Sequence, residues 1–185
     1  MTENSIFRGA ATALITPLTA DGIDYESFGR LIDWQIESGI DGLVICGTSG
    51  EGSTLSDKEH REALDFAIQR ADGRVPMIAG TGSNDIAYGI DLTKFACEIG
   101  YDAVLVVTPY YNKATQNGLI KSYMATADAS SKPCILYNVP SRTGVNIEPA
   151  TYDILADHPM IQGIKEANGN IAKIVETMSI VGDRL

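Results

Sequence analysis

This sequence has few residues of the types that build disulfides, metal sites or nucleic-acid-binding surfaces. Its 185 residues include 2 histidines and 3 cysteines, without a Cys-x-x-Cys pair. Cys46 and Cys134 fall in apolar, strand-like runs, so we expect them to be buried free thiols. His60 and His158 lie far apart without metal-ligating neighbours, so we expect no metal site. The net charge of −10 repels the phosphates of nucleic acids and anionic lipids, so neither is an expected partner.

Long hydrophobic segments are also missing. No apolar run approaches the roughly 20 residues needed to cross a bilayer, so we expect no membrane partner. The first five residues, Met1 to Ser5, have neither the basic region nor the apolar stretch of a secretory signal. A reducing cytoplasm is the expected location.

Strand and helix patterns alternate along the chain. Short continuous apolar runs predict six strands, at 10–15, 42–46, 75–79, 103–107, 134–137 and 161–165. Segments with helical spacing follow them, at 24–38, after 56, and at 85–99, 116–130, 149–157 and 171–181. Asp24 is a predicted N-cap, and Ser56 with Glu59 forms a predicted capping box. Repeating βα units with continuous apolar strands indicate a parallel sheet covered on both faces.

Two α/β folds use such units, the open doubly wound sheet and the (β/α)8 TIM barrel. Polar segments follow nearly every predicted strand. Only a barrel gathers all of its strand ends on one rim, so we predict the barrel. A barrel closes with eight strands and about 250 residues. We therefore interpret residues 1–185 as the N-terminal part of a TIM-barrel catalytic domain, with the remaining units and C-terminal helices absent and the first and sixth strands as open edges.

The sixth predicted strand ends in Lys165, within the sequence Ile-Gln-Gly-Ile-Lys-Glu at 161–166. A lysine at the end of a buried strand is partly desolvated, which lowers its pKa and frees the amine to attack a carbonyl. Lys165 is therefore a candidate Schiff-base nucleophile. Taken alone, a solvated lysine at a strand end is the commoner situation, so the choice depends on the other strand ends.

Three other segments carry candidate binding groups. Gly-Thr-Ser-Gly-Glu at 47–51 follows the second strand; its glycines and hydroxyls suit a small anion, or equally a tight turn. No Gly-Lys-Ser/Thr follows, so it is not a P-loop. Tyr137 ends the fifth strand and is either a proton-transferring phenol or a core residue. Arg142 follows it and is either a carboxylate-binding guanidinium or a solvated arginine.

Four motifs occur in a recognisable order: Gly-Thr-Ser-Gly-Glu at 47–51, Thr-Pro-Tyr-Tyr-Asn at 108–112, Tyr-Asn-Val-Pro-Ser-Arg-Thr-Gly at 137–144 and Gly-Ile-Lys-Glu-Ala at 163–167. In this combination the chain resembles the dihydrodipicolinate synthase (4-hydroxy-tetrahydrodipicolinate synthase) family, within the pyruvate-dependent class I aldolases that include N-acetylneuraminate lyase. The resemblance covers essentially all 185 residues. It implies a lyase of lysine (diaminopimelate) biosynthesis, typically a homotetramer built as a dimer of dimers.

The resemblance also implies roles for single residues. Lys165 would form a covalent Schiff base with pyruvate, with no separate cofactor, and the enamine made from it would attack L-aspartate 4-semialdehyde. Tyr137 would transfer protons during both steps. Thr48 and Tyr111 would be its relay partners, and Tyr111 would serve the site of a neighbouring subunit.

Two more residues would bind substrate carboxylates. Ser49, usually threonine in the family, would help to hold pyruvate, and Arg142 would bind the semialdehyde. The sialic acid lyases lack the Ser-Arg-Thr-Gly pattern at 141–144, so a synthase is favoured over an aldolase of sugar acids. A third alternative is an inactive truncated barrel. We expect the 185 residues alone to be poorly active, because the seventh and eighth units complete the pyruvate pocket.

Many members of this family are inhibited by lysine at a dimer interface. The positions here that match this effector site are Ser53, His60, Asn84, Tyr88 and Tyr110. Tyr88 stands where lysine-sensitive enzymes carry a glutamate, and Asp57 stands where some carry a histidine. We therefore expect weak or absent inhibition by lysine.

Overall fold

The computed structural model describes residues 6–185, so the interpretation of Met1 to Ser5 lies outside the described residues. In chain order the elements are β1 (Ala11–Ala13), β2 (Leu18–Thr19), β3 (Gly22–Ile23), α1 (Tyr25–Glu37), β4 (Gly42–Ile45), α2 (Asp57–Ala71), β5 (Met77–Gly80), α3 (Ile86–Glu98), β6 (Ala103–Val107), α4 (Gln116–Ala129), β7 (Cys134–Asn138), α5 (Pro140–Thr143), α6 (Pro149–Leu155), β8 (Ile161–Glu166) and α7 (Ile171–Val181).

Six of the strands form one parallel sheet in the order β1-β4-β5-β6-β7-β8. The predicted succession of βα units is confirmed, and the predicted helix at 171–181 has the observed ends of α7. Three elements were not predicted: the antiparallel pair β2 and β3 and the short helix α5. Strands of two residues and a helix of four are too short to produce a hydrophobic period.

The two faces of the sheet bury different apolar clusters. The outer face belongs to the cluster that it shares with the helices, which includes Leu43 and Leu136 of the sheet and Phe28 and Leu64 of the helices. The inner face carries a second cluster that includes Val44, Ile78, Leu105 and Tyr137. Alternation of side chains along each strand puts neighbouring residues into opposite clusters.

The sheet is curled around its inner face. Side chains from all six strands line one cavity of about 1030 Å³, and they include Ala11, Val44, Ile78, Leu105, Ile135 and Lys165. Such convergence requires the strands to turn toward a common axis, as in a barrel. The fold is therefore a six-stranded half-barrel with outer helices, part of a (β/α)8 TIM barrel, as predicted.

Within residues 6–185, two strands of this sheet have a single partner each. β1 pairs only with β4, and β8 pairs only with β7. The C-terminal segment 182–185 lines the cavity between them. β8 is consequently less covered than the central strands, and four of its six residues are half-buried.

Local signals read from the sequence have the expected structural effect. Asp24 accepts a hydrogen bond from the Ser27 N–H and caps α1. Ser56 and Glu59 form the reciprocal bonds of a capping box at α2. Cys46 and Cys134 are buried free thiols, and burial raises the pKa of Cys46 to about 12 and that of Cys134 to about 11. None of the helices between residues 6 and 185 is long and apolar enough to cross a membrane.

Candidate active site

The C-terminal ends of the central strands surround a cavity of about 370 Å³. Four of the predicted catalytic and substrate-binding residues line it: Thr48, Tyr111, Tyr137 and Arg142. Tyr137 lies near the end of β7, and the other three lie in segments that follow β4, β6 and β7; parallel strands bring such positions to one edge. Residues up to about 95 positions apart in sequence thus face a common space.

Lys165 and Tyr137 lie side by side on the inner face. They are register partners on the parallel strands β8 and β7. The Lys165 Nζ atom lies 4.3 Å from the centroid of the Tyr137 ring, within the range of a cation–π interaction. Lys165 is half-buried and lines the large interior cavity, whereas Tyr137 is buried and lines the rim cavity. The two residues thus connect the interior cavity with the rim cavity.

The three hydroxyl groups of the predicted proton relay are gathered but not connected. Thr48, Tyr111 and Tyr137 line the same cavity, and within residues 6–185 no hydrogen bond joins their hydroxyl groups. Tyr111 is 89% exposed, and its φ of 72° is left-handed. That conformation costs a non-glycine residue on the order of 1–3 kcal/mol and is concentrated at functional sites. The relay itself stays a prediction.

A buried hydrogen bond and close backbone packing hold the loop 47–51 after β4 in place. The Thr16 hydroxyl donates to the Gly50 carbonyl at 2.7 Å, and both residues are buried. A Cβ added at Gly52 or Gly80 would collide with the carbonyl oxygen of Cys46. Thr16 directly follows the first predicted strand, 10–15, and was not among the predicted site residues. Its position shows that it supports the loop that carries Thr48.

Ser49, on the same loop, is exposed and does not line the rim cavity. Its predicted contact with a carboxylate therefore stays a prediction.

Arg142 is carried by the one-turn helix α5, which Gly144 ends at a left-handed φ of 70°. The side chain is exposed and lines the rim cavity. Among residues 6–185, no carboxylate lies within 4.0 Å of its guanidinium. An unpaired guanidinium can bind a carboxylate through two parallel hydrogen bonds.

The predicted effector residues lie partly in the same cavity. Ser53, His60 and Tyr110 line it, whereas Asn84 and Tyr88 do not. Tyr88 nevertheless reaches this group, because its hydroxyl lies 3.4 Å from Nδ1 of His60. Binding of an effector stays a prediction. Across the described part of the chain, residues 6–185, no three or more His, Cys, Asp and Glu side chains are grouped to hold a metal ion.

His60 is buried and neutral. Its Nε2–H donates to the Gly80 carbonyl at 3.0 Å, so Nδ1 faces the Tyr88 hydroxyl as an acceptor. Burial lowers the pKa of His60 below its ordinary 6.5, and the bond to Gly80 only partly opposes this shift. The folded chain thus takes up this proton at a lower pH than the unfolded chain does.

We expect this difference to make stability depend on pH. The contribution of His60 is fully present above pH 6.5 and is lost as the pH falls toward its folded-state pKa. In that window the free energy of unfolding should fall by up to about 1.4 kcal/mol per pH unit. Urea unfolding from pH 7.5 to 5 measures the slope, which His60→Gln should flatten and the control Gln69→Ala, a surface variant without a titrating group, should leave unchanged. An unchanged slope in His60→Gln would contradict the assignment.

Comparison with known proteins agrees with this geometry. A sequence model of the dihydrodipicolinate synthetase family matches residues 6–185. A 4-hydroxy-tetrahydrodipicolinate synthase of Clostridium perfringens strain 13 is 46% identical over 180 residues, which are 97% of this chain and 62% of that protein. One from Nitratidesulfovibrio vulgaris strain DP4 is 50% identical over 177 residues, 95% of this chain and 61% of that protein.

Solved structures show the same likeness. The dihydrodipicolinate synthase of Aquifex aeolicus superposes with a TM-score of 0.94 at 42% identity, over 97% of this chain and 61% of that one. The chloride-inhibited enzyme of Acinetobacter baumannii, complexed with pyruvate, gives 0.93 at 44% identity, over 98% and 62%. The chain thus spans about 62% of the length of the curated relatives it matches. On both sequence and structure, the chain belongs to the dihydrodipicolinate synthetase family.

Proposed function

We propose that this chain carries the nucleophile and the proton-transfer groups of a 4-hydroxy-tetrahydrodipicolinate synthase, which condenses pyruvate with L-aspartate 4-semialdehyde. The supporting observation is the placement of the Lys165 amine 4.3 Å from the Tyr137 ring centroid, on paired strands. The rim next to Tyr137 holds Thr48, Tyr111 and Arg142. This combination supplies an amine to attack a ketone, hydroxyl groups to transfer protons and a guanidinium to bind a carboxylate.

The first stage is formation of the Schiff base. The Lys165 amine, after losing a proton, attacks the ketone carbon of pyruvate, and the carbinolamine loses water to give an iminium ion. Tyr137 supplies the proton that leaves with the oxygen as water, because it is the buried hydroxyl-bearing side chain beside Lys165. The iminium then draws electrons from the methyl group, which loses a proton and becomes an enamine.

The second stage forms the carbon–carbon bond. The enamine carbon attacks the aldehyde of L-aspartate 4-semialdehyde, and the aldehyde oxygen takes up a proton. The substrate's amino group then displaces Lys165 from the imine, which closes the ring and frees the lysine. Arg142 orients the semialdehyde through its carboxylate, since this guanidinium has no carboxylate partner within residues 6–185.

A neighbouring subunit is part of the proposal. The resemblance implies that Tyr111 serves the site of a second copy in a dimer of dimers. Its 89% exposed side chain at a left-handed φ supports this role, because a strained, projecting tyrosine gains little packing within its own subunit.

Borohydride trapping tests the proposal. Incubation with pyruvate and sodium borohydride should reduce the imine and leave a pyruvate-derived mass on the peptide that contains Lys165. Without pyruvate, or with borohydride added after acid quenching, no such mass is expected. An adduct found only on exposed lysines such as Lys58 would contradict a Schiff base at Lys165.

Arg142 should determine affinity for the semialdehyde. Arg142→Ala is expected to raise the KM for L-aspartate 4-semialdehyde by about 10–100-fold, because a charged hydrogen-bonded pair contributes about 1.5–3 kcal/mol. Pyruvate trapping should stay within about twofold of the parent chain. Arg30→Ala is a control that removes one positive charge on the outer surface, away from both cavities. An equal loss in trapping and in semialdehyde affinity would show that Arg142 acts on pyruvate instead.

A further inference from the structure

Glu166 follows Lys165 and occupies the opposite face of β8. Its carboxylate accepts hydrogen bonds from Asn138 Nδ2 at 2.9 and 3.1 Å, from the Tyr152 hydroxyl at 2.9 Å and from the Asn168 N–H at 2.9 Å. Among residues 6–185, no lysine, arginine or histidine nitrogen lies within 4.0 Å of it. A half-buried carboxylate is thus held by neutral donors alone.

The donors are themselves fixed in place. Asn138 is fully buried, and its side chain also binds the Asn146 side chain at 2.9 Å and the Ile147 N–H at 3.2 Å. Tyr152 is fully buried on α6. If Glu166 were displaced, these buried donors would lose an acceptor and could not follow it.

The register of β8 against β7 determines which way Lys165 faces. The pairing shifts by one residue near the start, because Cys134 faces Ile161 but Ile135 faces Gly163. Gln162 is therefore an extra residue, as in a β-bulge. After it, Tyr137 faces Lys165 and Asn138 faces Glu166.

A register without the bulge would reverse the strand's faces. Asn138 would then lie opposite Lys165, and the amine would point to the helix layer instead of the interior. Within residues 6–185, β8 has β7 as its one neighbour in the sheet, so a second strand does not hold the register from the other side. Ile161 and Ile164 pack in the outer cluster in the observed register, and the hydrogen bonds of Glu166 to β7 and α6 are the polar side-chain contacts that favour it.

We propose that Glu166 is a positioning residue, whose carboxylate, bound to Asn138 and Tyr152, holds the register of β8 that directs Lys165 onto the Tyr137 ring. A carboxylate suits this place because it only accepts hydrogen bonds, and all of its partners here are donors. A carboxamide of the same shape would turn an NH2 group toward some of these donors.

The test has two separate readings, because its catalytic meaning rests on the proposed function: the position of Lys165 is read without pyruvate in 13C-methylated protein, and pyruvate trapping is measured in unmethylated protein, since a dimethylated amine cannot form an imine. The lysines are 13C-methylated, and the Lys165 resonance, assigned by its loss in Lys165→Arg, should be shifted upfield by the ring current of Tyr137. Glu166→Gln should lose most of this shift and should slow pyruvate trapping by about 10-fold or more. Glu62→Gln, which removes a carboxylate on α2 whose partners Tyr25 and Lys58 lie outside this network, should change neither.

Rescue separates positioning from a general loss of stability. In Asn138→Asp/Glu166→Gln the acceptor and the donor are exchanged, so the Lys165 shift and the trapping rate should recover by about threefold or more over Glu166→Gln. An unchanged Lys165 resonance and a trapping rate within about twofold in Glu166→Gln would overturn the inference. If Glu166→Gln does not fold, Tyr152→Phe is measured instead. An unchanged Lys165 resonance and an unchanged trapping rate in Tyr152→Phe would then overturn the inference.

The two proposals fail separately. If the parent chain shows the ring-shifted Lys165 resonance but takes up no pyruvate adduct, the Schiff-base function fails. In that case the Lys165 resonance of Glu166→Gln still tests whether Glu166 positions the lysine.

Discussion

Replacing Lys165 with arginine is expected to lower pyruvate adduct formation by at least about 10³-fold, to background, because the covalent nucleophile is lost. Arginine keeps the positive charge and can keep the contact with the Tyr137 ring, so folding should be preserved. Its guanidinium is not deprotonated in proteins and cannot attack a ketone. Mass spectrometry of borohydride-treated protein measures the effect.

The matched control is Lys173→Arg. Lys173 lies on α7, where its amine pairs with Glu176 at 2.9 Å, and it faces neither cavity. This variant should be trapped like the parent chain. A persistent, pyruvate-dependent adduct in Lys165→Arg would mean that another amine carries the chemistry.

Removing the Tyr137 hydroxyl should slow imine formation by about 10²–10⁴-fold, the usual contribution of a positioned acid or base. Tyr137→Phe retains the ring beside Lys165. The hydroxyl has no hydrogen-bond partner within residues 6–185, so its loss should leave the free energy of unfolding nearly unchanged. Quenching with borohydride at successive times gives the rate of imine formation.

Tyr25→Phe provides the control for Tyr137→Phe. It removes a phenol whose partner is Glu62 on the outer surface, and its trapping rate should equal that of the parent. A Tyr137→Phe rate within about threefold of the parent would assign proton transfer to another group, with Thr48 and Tyr111 as the candidates on the same cavity.

The strands and helices were predictable because each βα unit has a local sequence pattern. Continuous apolar runs marked the strands, and capping residues such as Asp24 and Ser56 marked helix starts. The closeness of Lys165 and Tyr137 followed only once the parallel order was assumed, since strand ends then meet at one rim.

What the sequence did not predict depends on register and on long-range contacts. The bulge at Gln162 shifts the pairing of β8 by one residue, and no local pattern identifies it. The bonds from Asn138 and Tyr152 to Glu166 join residues 28 and 14 positions apart. The geometry of the proposed relay was also beyond prediction, because side-chain rotamers around a cavity depend on packing from several strands.

The order of the sheet has a consequence for how the chain folds. Each strand from β4 to β8 pairs with the strand of this sheet that comes just before it in the sequence. The sheet can therefore grow from one edge in the direction of synthesis. Pairings of this kind form after their intervening helices, because the loop must close first. Tyr137 on β7 therefore precedes Lys165 on β8 in the order of synthesis. A nascent chain that ends after β7 carries the tyrosine without the nucleophile, so the Lys165 amine is added to a sheet whose β7 partner has already been made.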